Sequence, residues 1–302
     1  MRVDEPRAVP RRTALAALAA LTAAGCSKLA FFAANIPAAF GAYTRRPDVP
    51  YGAEPRQRLD VYAPSKPGAR PSPLVVFWHG GRWEFGDKDE YRFVGAALAA
   101  AGYAAVLPNY RHYPQVKMAG FMQDAARATE WAVAHAGEFH ADPARLYLMG
   151  HSSGAHMAVL LALDTRYFVR IDAAIPPIAG VVGLSGPYDF LPLTESDLQD
   201  MFGPPNLYAL SQPINFVRDD APPMLLAQGE KDRTVAPKNS RNLAAALAAH
   251  DVPVTLLMFP DLNHADTVAA LSEPARGRAP ILAAIEDFVG ATDPADIRPR
   301  GS

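Results

Sequence analysis

Short apolar runs of strand length alternate along this chain with longer segments whose apolar residues recur at helical spacing. The runs predicted to be strands are Leu59–Tyr62, Leu74–Trp78, Tyr103–Leu107, Leu146–Met149, Val181–Leu184, Met224–Ala227 and Val254–Phe259. The segments predicted to be helices are Tyr91–Ala101, Met118–Ala136, Ala155–Leu163, Asn239–His250 and Pro280–Val289. This alternation predicts an α/β fold in which a mostly parallel central sheet carries helices on both faces.

One interval, between Gly186 and Ala221, lacks this alternation. Loops of such length are functional or disordered, and this one holds too many bulky apolar residues for a disordered segment. We therefore predict a small cap insertion at 187–220, inside a single domain that spans residues 57–290. Residues 27–56 show no clear period and are assigned to a tether and approach segment, and residues 291–302 to a C-terminal tail.

The first 26 residues have the pattern of a signal peptide. Arg7, Arg11 and Arg12 precede the apolar run Ala14–Ala24, which ends at Gly25-Cys26. A charged region, a short apolar region and a small-residue processing site are typical of exported proteins. The apolar run is too short to span a bilayer as a helix.

Cys26 is the only cysteine, so the chain has no intramolecular disulfide and no CxxC site. Residues 23–26, Ala-Ala-Gly-Cys, resemble the bacterial lipobox, although Ala23 stands where leucine is usual. We expect an exported cell-envelope lipoprotein that associates with the membrane through a lipidated Cys26. A periplasmic or secreted protein cleaved elsewhere stays open, and Arg11-Arg12 also permits a twin-arginine route.

Composition narrows the function classes. The formal net charge is −2, and lysines and arginines are scattered without interleaved aromatic residues, which argues against nucleic-acid binding. Half of the residues are hydrophobic, so the chain can build a large core. The motifs imply no metal and no organic cofactor.

The segment Gly150-His-Ser152-Ser153-Gly154 interrupts an apolar strand and is followed by a small-residue helix. Gly-x-Ser-x-Gly between a strand and a helix is the pattern of a nucleophile elbow. Side chains at the two glycines would collide with the neighbouring elements, and the sharp turn raises the serine hydroxyl above the sheet edge. The N–H of Ser153, at the helix start, would point toward a developing oxyanion. Ser152 is the predicted nucleophile.

A serine nucleophile needs a base and an acid, which in this kind of fold follow it in the order acid, then histidine. Among the 8 histidines, His264 lies in a loop beyond a late strand, while the others precede the serine, flank it or end a helix. Asp232 follows the preceding strand and a glycine turn, and it would hold the imidazole tautomer and stabilise the imidazolium. Glu230 is its nearest competitor, and Asp261 and Asp266 are local rivals.

The loop after the strand Leu74–Trp78 reads His79-Gly-Gly-Arg-Trp. Gly80 and Gly81 leave their backbone N–H groups unobstructed, so that they can approach a substrate oxygen. Together with the N–H of Ser153 they are predicted to form an oxyanion hole. His79 itself is expected to brace the loop.

The predicted substrate pocket is apolar. Trp83 either lines it or packs beneath the loop, and Phe190 and Phe202 of the cap insertion are predicted to contribute further walls. The same cap residues are also consistent with simple packing.

With these residues in place, the sequence resembles the α/β-hydrolase esterase/lipase superfamily. It is similar to the carboxylesterase branch that includes feruloyl-esterase-like hydrolases, prenylcysteine methylesterases and kynurenine formamidases. The resemblance runs from Tyr51 to Val289 and rests on YGAEPRQRLDVYAP, HGGRW, GDKDEYRFVGAALAAAGY, NYRHYP, LMGHSSGAHMA, LSGPYDF, GEKDRTV and DLNH. It implies the α/β-hydrolase fold, a triad of Ser152, Asp232 and His264, and oxyanion donors from Gly80, Gly81 and Ser153.

Two departures from the family pattern bear on function. Asn109 stands where the family often has aspartate, and Arg82 stands at the third glycine of the His-Gly-Gly-Gly form. The HGGxW form is the one seen in kynurenine formamidases.

The expected activity is that of a serine carboxylester hydrolase, which acts through an acyl-enzyme on small-molecule alkyl or aryl esters. An arylformamidase-type amide hydrolase is the alternative, favoured by HGGxW and disfavoured by the predicted export. A catalytically idle binding module, and a peptidase or an acyltransferase on the same site, stay open as lesser alternatives.

Overall fold

The structure, a computed structural model, describes residues 31–294. Their strands form one eight-stranded sheet in the order β1-β2-β4-β3-β5-β6-β7-β8. The strands are β1 Tyr43–Pro50, β2 Arg58–Pro64, β3 Ser72–Trp78, β4 Ala104–Pro108, β5 Ala141–His151, β6 Ile178–Leu184, β7 Met224–Gly229 and β8 Val254–Phe259. β1 and β2 run antiparallel to their neighbours, and all other neighbouring strands pair in parallel. The predicted α/β fold class is confirmed.

Helices follow most of the strands. They are α1 31–38, α2 Arg92–Ala100, α3 Met118–Ala134, α4 Ser153–Leu163, α5 Arg166–Val169, α6 Ser196–Met201, α7 Lys238–Ala249, α8 Asp266–Ala269 and α9 Ile281–Thr292. Short 3₁₀ helices lie at Lys88–Tyr91, Ala136–Phe139, Pro205–Ser211, Pro213–Phe216 and Glu273–Arg278. Within residues 31–294, no helix has the length and apolar character needed to cross a membrane.

The sheet is buried on both faces because successive side chains of its central strands enter two different cores. In β3, every residue is buried. Leu74, Val76 and Trp78 join the core cluster that contains α3 and α4, while Val75 and Phe77 join the cluster that contains α2 and α9. This two-sided burial explains why the strand is apolar at every position.

Two elements lie where the sequence pattern predicted only a tether and approach segment. α1 and β1 both fall within residues 27–56. β1 is an edge strand with a mostly exposed or half-exposed surface, so its polar composition lacks the apolar signature used to predict strands. The predicted signal peptide, Cys26 and residues 295–302 of the tail lie outside the described residues.

The parallel strands set the position of the candidate site. The loops after β3, β5, β7 and β8 all leave from the carboxyl edge of the sheet, which is where open α/β sheets bind their ligands. The cap insertion at 187–220 folds into α6 and two 3₁₀ helices near the same edge. Residues far apart in sequence are thereby brought together.

Candidate active site

Ser152 lies in the turn between β5 and α4 with a backbone φ of 56° and ψ of −123°. Such a conformation is strained for a residue with a side chain. The flanking glycines make the turn feasible: a Cβ on Gly150 would lie 2.3 Å from the backbone of Gly154, and one on Gly154 would lie 2.1 Å from the carbonyl oxygen of Trp78. The strand, turn and helix therefore form the predicted elbow.

Three predicted residues meet above this turn. His264 Nε2 lies 2.9 Å from Ser152 Oγ, and His264 Nδ1 lies 2.8 Å from Asp232 Oδ2. Both distances are within hydrogen-bond range, and the order of contacts is nucleophile, base, acid. The carboxylate keeps the proton on Nδ1, so that Nε2 is free to accept the hydroxyl proton of the serine.

Asp232 is held as a carboxylate by the groups around it. Its Oδ1 accepts the backbone N–H groups of Thr234 and Val235 at 2.9 and 2.8 Å, and its Oδ2 accepts the Gln228 amide at 2.9 Å. Burial raises the pKa of Asp232, but the hydrogen bond from His264 and those backbone donors outweigh it, so the pKa lies below its usual value.

The competing carboxylates have other partners. Glu230 pairs with Arg241, and the exposed Asp261 pairs with Lys231 at 2.7 Å. Asp266 accepts the backbone N–H of Asn263 at 2.9 Å and so fixes the loop that carries the histidine. Among the described residues, Asp232 is the carboxylate that contacts His264.

Two residues that were not predicted as part of the site, His151 and Tyr91, form hydrogen bonds that hold the loop of His264 in place. His151 Nε2 lies 3.1 Å from the carbonyl oxygen of His264, and its Nδ1 lies 3.2 Å from the hydroxyl of Tyr91. Burial, with a smaller contribution from the ring of His264, lowers the pKa of His151 to about 3. A neutral His151 that donates from Nε2 then accepts from the tyrosine at Nδ1. Tyr91 falls within the family motif GDKDEYRF, but the motif does not reveal this role, because its contacts with Gly80 and His151 arise only from packing between distant elements.

Tyr91 also changes the predicted oxyanion hole. The N–H of Gly80 donates to the Tyr91 hydroxyl at 3.3 Å, so in this structure the tyrosine occupies this predicted oxyanion donor. No hydrogen bond of the described residues uses the N–H of Gly81, and Ser153 opens α4, where a helix leaves its first amides unpaired. Gly81 and Ser153 therefore remain the predicted donors, and Gly80 positions the loop.

Three successive residues of the oxyanion loop, His79–Trp83, have positive φ, which strains Arg82 and Trp83 because both carry side chains. Gly81, Arg82 and Trp83 have φ values of 131°, 55° and 61°. A Cβ on Gly81 would lie 2.0 Å from the carbonyl oxygen of Phe85, so this position excludes larger residues. Such strain persists only where surrounding contacts over-determine the loop, and it is typical of functional sites.

Trp83 supplies part of that restraint. Its ring is 4% exposed and packs edge-on against Phe202 and His156, each with a centroid distance of 5.0 Å, and it stacks with Phe190 at 6.1 Å. Trp83 therefore both lines the cavity and packs beneath the loop.

A cavity of about 700 Å³ opens above Ser152 and His264. Trp83 and Phe190 line it, as predicted, together with cap residues from Leu191 to Glu195. Phe202 was expected in the wall, but it lies behind Trp83 and is 4% exposed, because the edge-on contact of the two rings turns it into the core. Among the described residues, no group of three or more His, Cys, Asp or Glu side chains is placed to hold a metal ion.

The side chain of Asn109, which departs from the family pattern, forms hydrogen bonds through both its oxygen and its nitrogen. Its side-chain oxygen accepts the backbone N–H of Lys88 at 2.7 Å, and its amide donates to Asp87 at 2.9 Å. An amide can serve both groups, whereas an aspartate would face Asp87 as a like charge.

Comparison with known proteins places the chain in a family. A family model, BD-FAE, matches residues 59–247, which is more than half of the 302 residues. The chain belongs to the BD-FAE family. It is an α/β-hydrolase of the carboxylesterase type, which agrees with the elbow and the ordered acid and base described above.

This BD-FAE chain is similar to named enzymes of two kinds. A probable isoprenylcysteine α-carbonyl methylesterase of Arabidopsis thaliana is 30% identical over 90% of this chain and 67% of the relative. A kynurenine formamidase of Danio rerio is 36% identical over 48% of this chain and 47% of the relative. The chain spans between about half and two thirds of the length of the curated relatives it matches.

The fold of this family member is also seen in solved structures. The crystal structure of esterase B from Lactobacillus rhamnosis inhibited by a tributyrin phosphonate aligns with a TM-score of 0.76 at 21% identity. The alignment covers 96% of this chain and 99% of the esterase B chain. At this level of identity the likeness shows the shared α/β-hydrolase fold.

Proposed function

We propose that this protein is a serine carboxylester hydrolase that cleaves small alkyl or aryl carboxylic esters through an acyl-enzyme on Ser152. The single observation that carries the proposal is the continuous contact Ser152–His264–Asp232, with distances of 2.9 and 2.8 Å, at the floor of an apolar cavity. The membership of the chain in the BD-FAE family supports it.

The acylation step follows from these contacts. His264 Nε2 takes the hydroxyl proton while Ser152 Oγ bonds to the carbonyl carbon, and the carbonyl electrons move to the oxygen. The N–H groups of Gly81 and Ser153 stabilise that oxyanion, a contribution of about 3 kcal/mol per donor in known cases. The protonated imidazole then gives its proton to the departing alcohol oxygen. Asp232 stabilises the imidazolium throughout.

Deacylation uses the same groups in reverse. His264 takes a proton from a water molecule, whose oxygen attacks the acyl carbon. The tetrahedral intermediate collapses, Ser152 regains its proton from the imidazolium, and the carboxylic acid leaves. No step requires a metal or an organic cofactor.

The cavity supports a small substrate. Its volume of about 700 Å³ falls in the range of pockets for drug-sized ligands, and its walls include Trp83, Phe190, Leu191 and Leu193. Apolar walls favour alkyl and aryl groups over charged ones.

A formamide-cleaving activity is the second candidate. Two observations favour it: the HGGRW loop and the partial similarity to a kynurenine formamidase. Turnover of an aryl formamide that exceeds turnover of the matched aryl acetate would favour this reading. A catalytically idle module is disfavoured by the intact contacts of the triad.

We further propose that the protein is exported and anchored to the cell envelope by a lipid on Cys26. The basis is the sequence pattern of residues 1–26 alone. Mass spectrometry of the N-terminal peptide from cells tests this proposal, with Cys26→Ser as the unmodified control.

The esterase proposal is tested by burst and steady-state hydrolysis of p-nitrophenyl acetate, with Ser152→Ala as the variant and the exposed Ser65→Ala as its matched control. We expect turnover by the wild type and Ser65→Ala, and none above background by Ser152→Ala. A p-nitrophenyl phosphonate should add one adduct to the Ser152 peptide. Equal turnover by both variants would exclude Ser152 as the nucleophile.

A further inference from the structure

The inner side of α1 is firmly attached to the rest of the fold. Ala34 and Ala38 are buried in the core cluster that contains α2. The side chain of Asn35 donates to the carbonyl oxygens of Asp89 and Glu90 at 3.1 Å each and accepts the N–H of Phe93 at 2.9 Å. Asn35, the only polar residue among the described residues 31–38 of α1, thus faces the protein and fixes the orientation of the helix.

The outer side of α1 is apolar and exposed. Phe32, Ile36 and Phe40, in the helix and the turn that follows it, are 66%, 52% and 87% exposed. Their spacing of four places them on one face, which we call the docking face. Residues 31–40 contain no charged side chain. Soluble proteins expose single apolar residues routinely, but a contiguous exposed apolar face indicates an interaction site.

The docking face lies beside the mouth of the active-site cavity. Phe31, its neighbour in the helix, lines the cavity together with Tyr91 and with Phe85, which is 61% exposed. The rings of Phe31 and Tyr91 lie 4.9 Å apart. A surface that covers the docking face would therefore sit at the cavity entrance.

The sequence that precedes α1 indicates what covers the docking face. Cys26 lies five residues before Phe31. Five residues of chain span at most about 18 Å. A lipid on Cys26 would hold α1 within that distance of a bilayer. Attachment by few acyl chains is reversible, and stable membrane residence usually needs a second contact.

We propose that Phe32, Ile36 and Phe40 insert into the interfacial region of a lipid bilayer, so that the cavity opens at the membrane and takes esters that reside there. The proposal rests on the proposed esterase activity and on the proposed anchor. Its substrate class is accordingly that of carboxylic esters with an apolar, membrane-partitioned portion.

The first experiment places the full chain on vesicles without relying on native lipidation. Because Cys26 is the only cysteine, a maleimide phospholipid couples there and reproduces the anchor. Phe32→Trp is compared with Val169→Trp on vesicles of brominated phosphatidylcholine. The two positions are equally exposed at 66%, but Val169 follows Phe168, which is buried in the core on the opposite face of the sheet. The native tryptophans give a background common to both.

We expect the fluorescence of the tryptophan at position 32 to fall at least twofold more than that at position 169. Equal quenching at the two positions, or none at position 32 on coupled protein, would overturn the proposal. A position-32 emission that is already blue-shifted without vesicles and unchanged by them would mean that another part of this chain covers the face. A shift that depends on protein concentration alone would mean that a second copy does, and either result also overturns it.

The second experiment separates docking from catalysis. The triple variant Phe32→Ser, Ile36→Ser, Phe40→Ser is compared with Val169→Ser on vesicles that carry a long-chain fluorogenic ester. We expect the triple variant to lose at least fivefold in rate on that ester, with p-nitrophenyl acetate turnover within twofold of wild type. An unchanged rate on the vesicle-borne ester would overturn delivery from the bilayer. If the wild type itself does not turn over p-nitrophenyl acetate, the proposed esterase function is contradicted. The quenching experiment would still decide whether the docking face enters the bilayer.

Discussion

Arg82 Nη2 lies 2.6 Å from Asp197 Oδ2, so an ion pair joins the oxyanion loop to helix α6 of the cap insertion. The same nitrogen lies 2.8 Å from Glu195 Oε2. Burial and the neighbouring acidic groups raise the pKa of Glu84, which lies beside this pair. Arg82 thus stands at the third glycine position of the family pattern as a link between the strained loop and the wall of the cavity.

We predict that Arg82→Ala lowers kcat/KM about tenfold, because the oxyanion loop and the cap lose their connection. Arg82→Lys should recover part of the loss. Arg82→Gly should lose the same activity but be about 1 kcal/mol more stable than Arg82→Ala, since glycine accepts the φ of 55° without strain. Ester kinetics and chemical denaturation of the three variants check this. Wild-type kinetics in Arg82→Ala would contradict the linking role.

Asp232→Asn is predicted to lower kcat by about 10⁴-fold, because an amide stabilises the wrong imidazole tautomer and cannot stabilise the imidazolium. Asp261→Asn is the matched control, since this exposed carboxylate pairs with Lys231 and does not contact His264. Steady-state hydrolysis of p-nitrophenyl acetate gives the comparison. A control that loses as much activity as Asp232→Asn would place the acid elsewhere.

Tyr91→Phe should destabilise the fold by about 1–3 kcal/mol and lower kcat several-fold, because Gly80 N–H and His151 Nδ1 lose their partner in a buried site. Tyr103→Phe provides a buried tyrosine outside this chain of hydrogen bonds as control. Urea unfolding and single-turnover acylation rates measure the two effects. If Tyr91→Phe matches the control in both, the hydrogen-bond chain has no positioning role.

The buried histidines predict a loss of stability in mild acid. Burial lowers the pKa of His79 and His151 to about 3 and that of His156 to about 4, against an ordinary value of 6.5. Between these values the unfolded chain binds protons that the folded chain does not, so stability falls as the pH falls from about 6.5 toward 4. Each such histidine contributes up to about 1.4 kcal/mol per pH unit in this window.

His156→Gln should therefore reduce the pH dependence of unfolding by about one proton, with His250→Gln measured beside it as a substitution at an exposed histidine. Denaturant midpoints measured between pH 4 and 7.5 report the slope. An unchanged slope in His156→Gln would mean that this histidine binds its proton equally in both states.

Most of the framework was predictable from the pattern of apolar residues. β3, β4 and β7 were predicted because each is buried at every position, and such a strand is a continuous apolar run. The edge strand β8 was predicted as well, since its sequence is apolar although its residues are only partly buried. β1 was not, since an edge strand needs only one neighbour and carries polar residues, and α1 lacks a polar face that would reveal its period.

The sequence by itself determined the fold class and the identity and order of Ser152, Asp232 and His264, because strand and helix periodicity and the elbow motif are local properties of the chain. Only the tertiary structure decided that Gly80 serves Tyr91, that Phe202 lies behind Trp83, and that His151 supports the loop of His264. These roles depend on which side chains meet across elements distant in sequence. Contacts between distant elements set the hydrogen-bond directions and the ring packing, and the spacing of residues along the chain does not encode them.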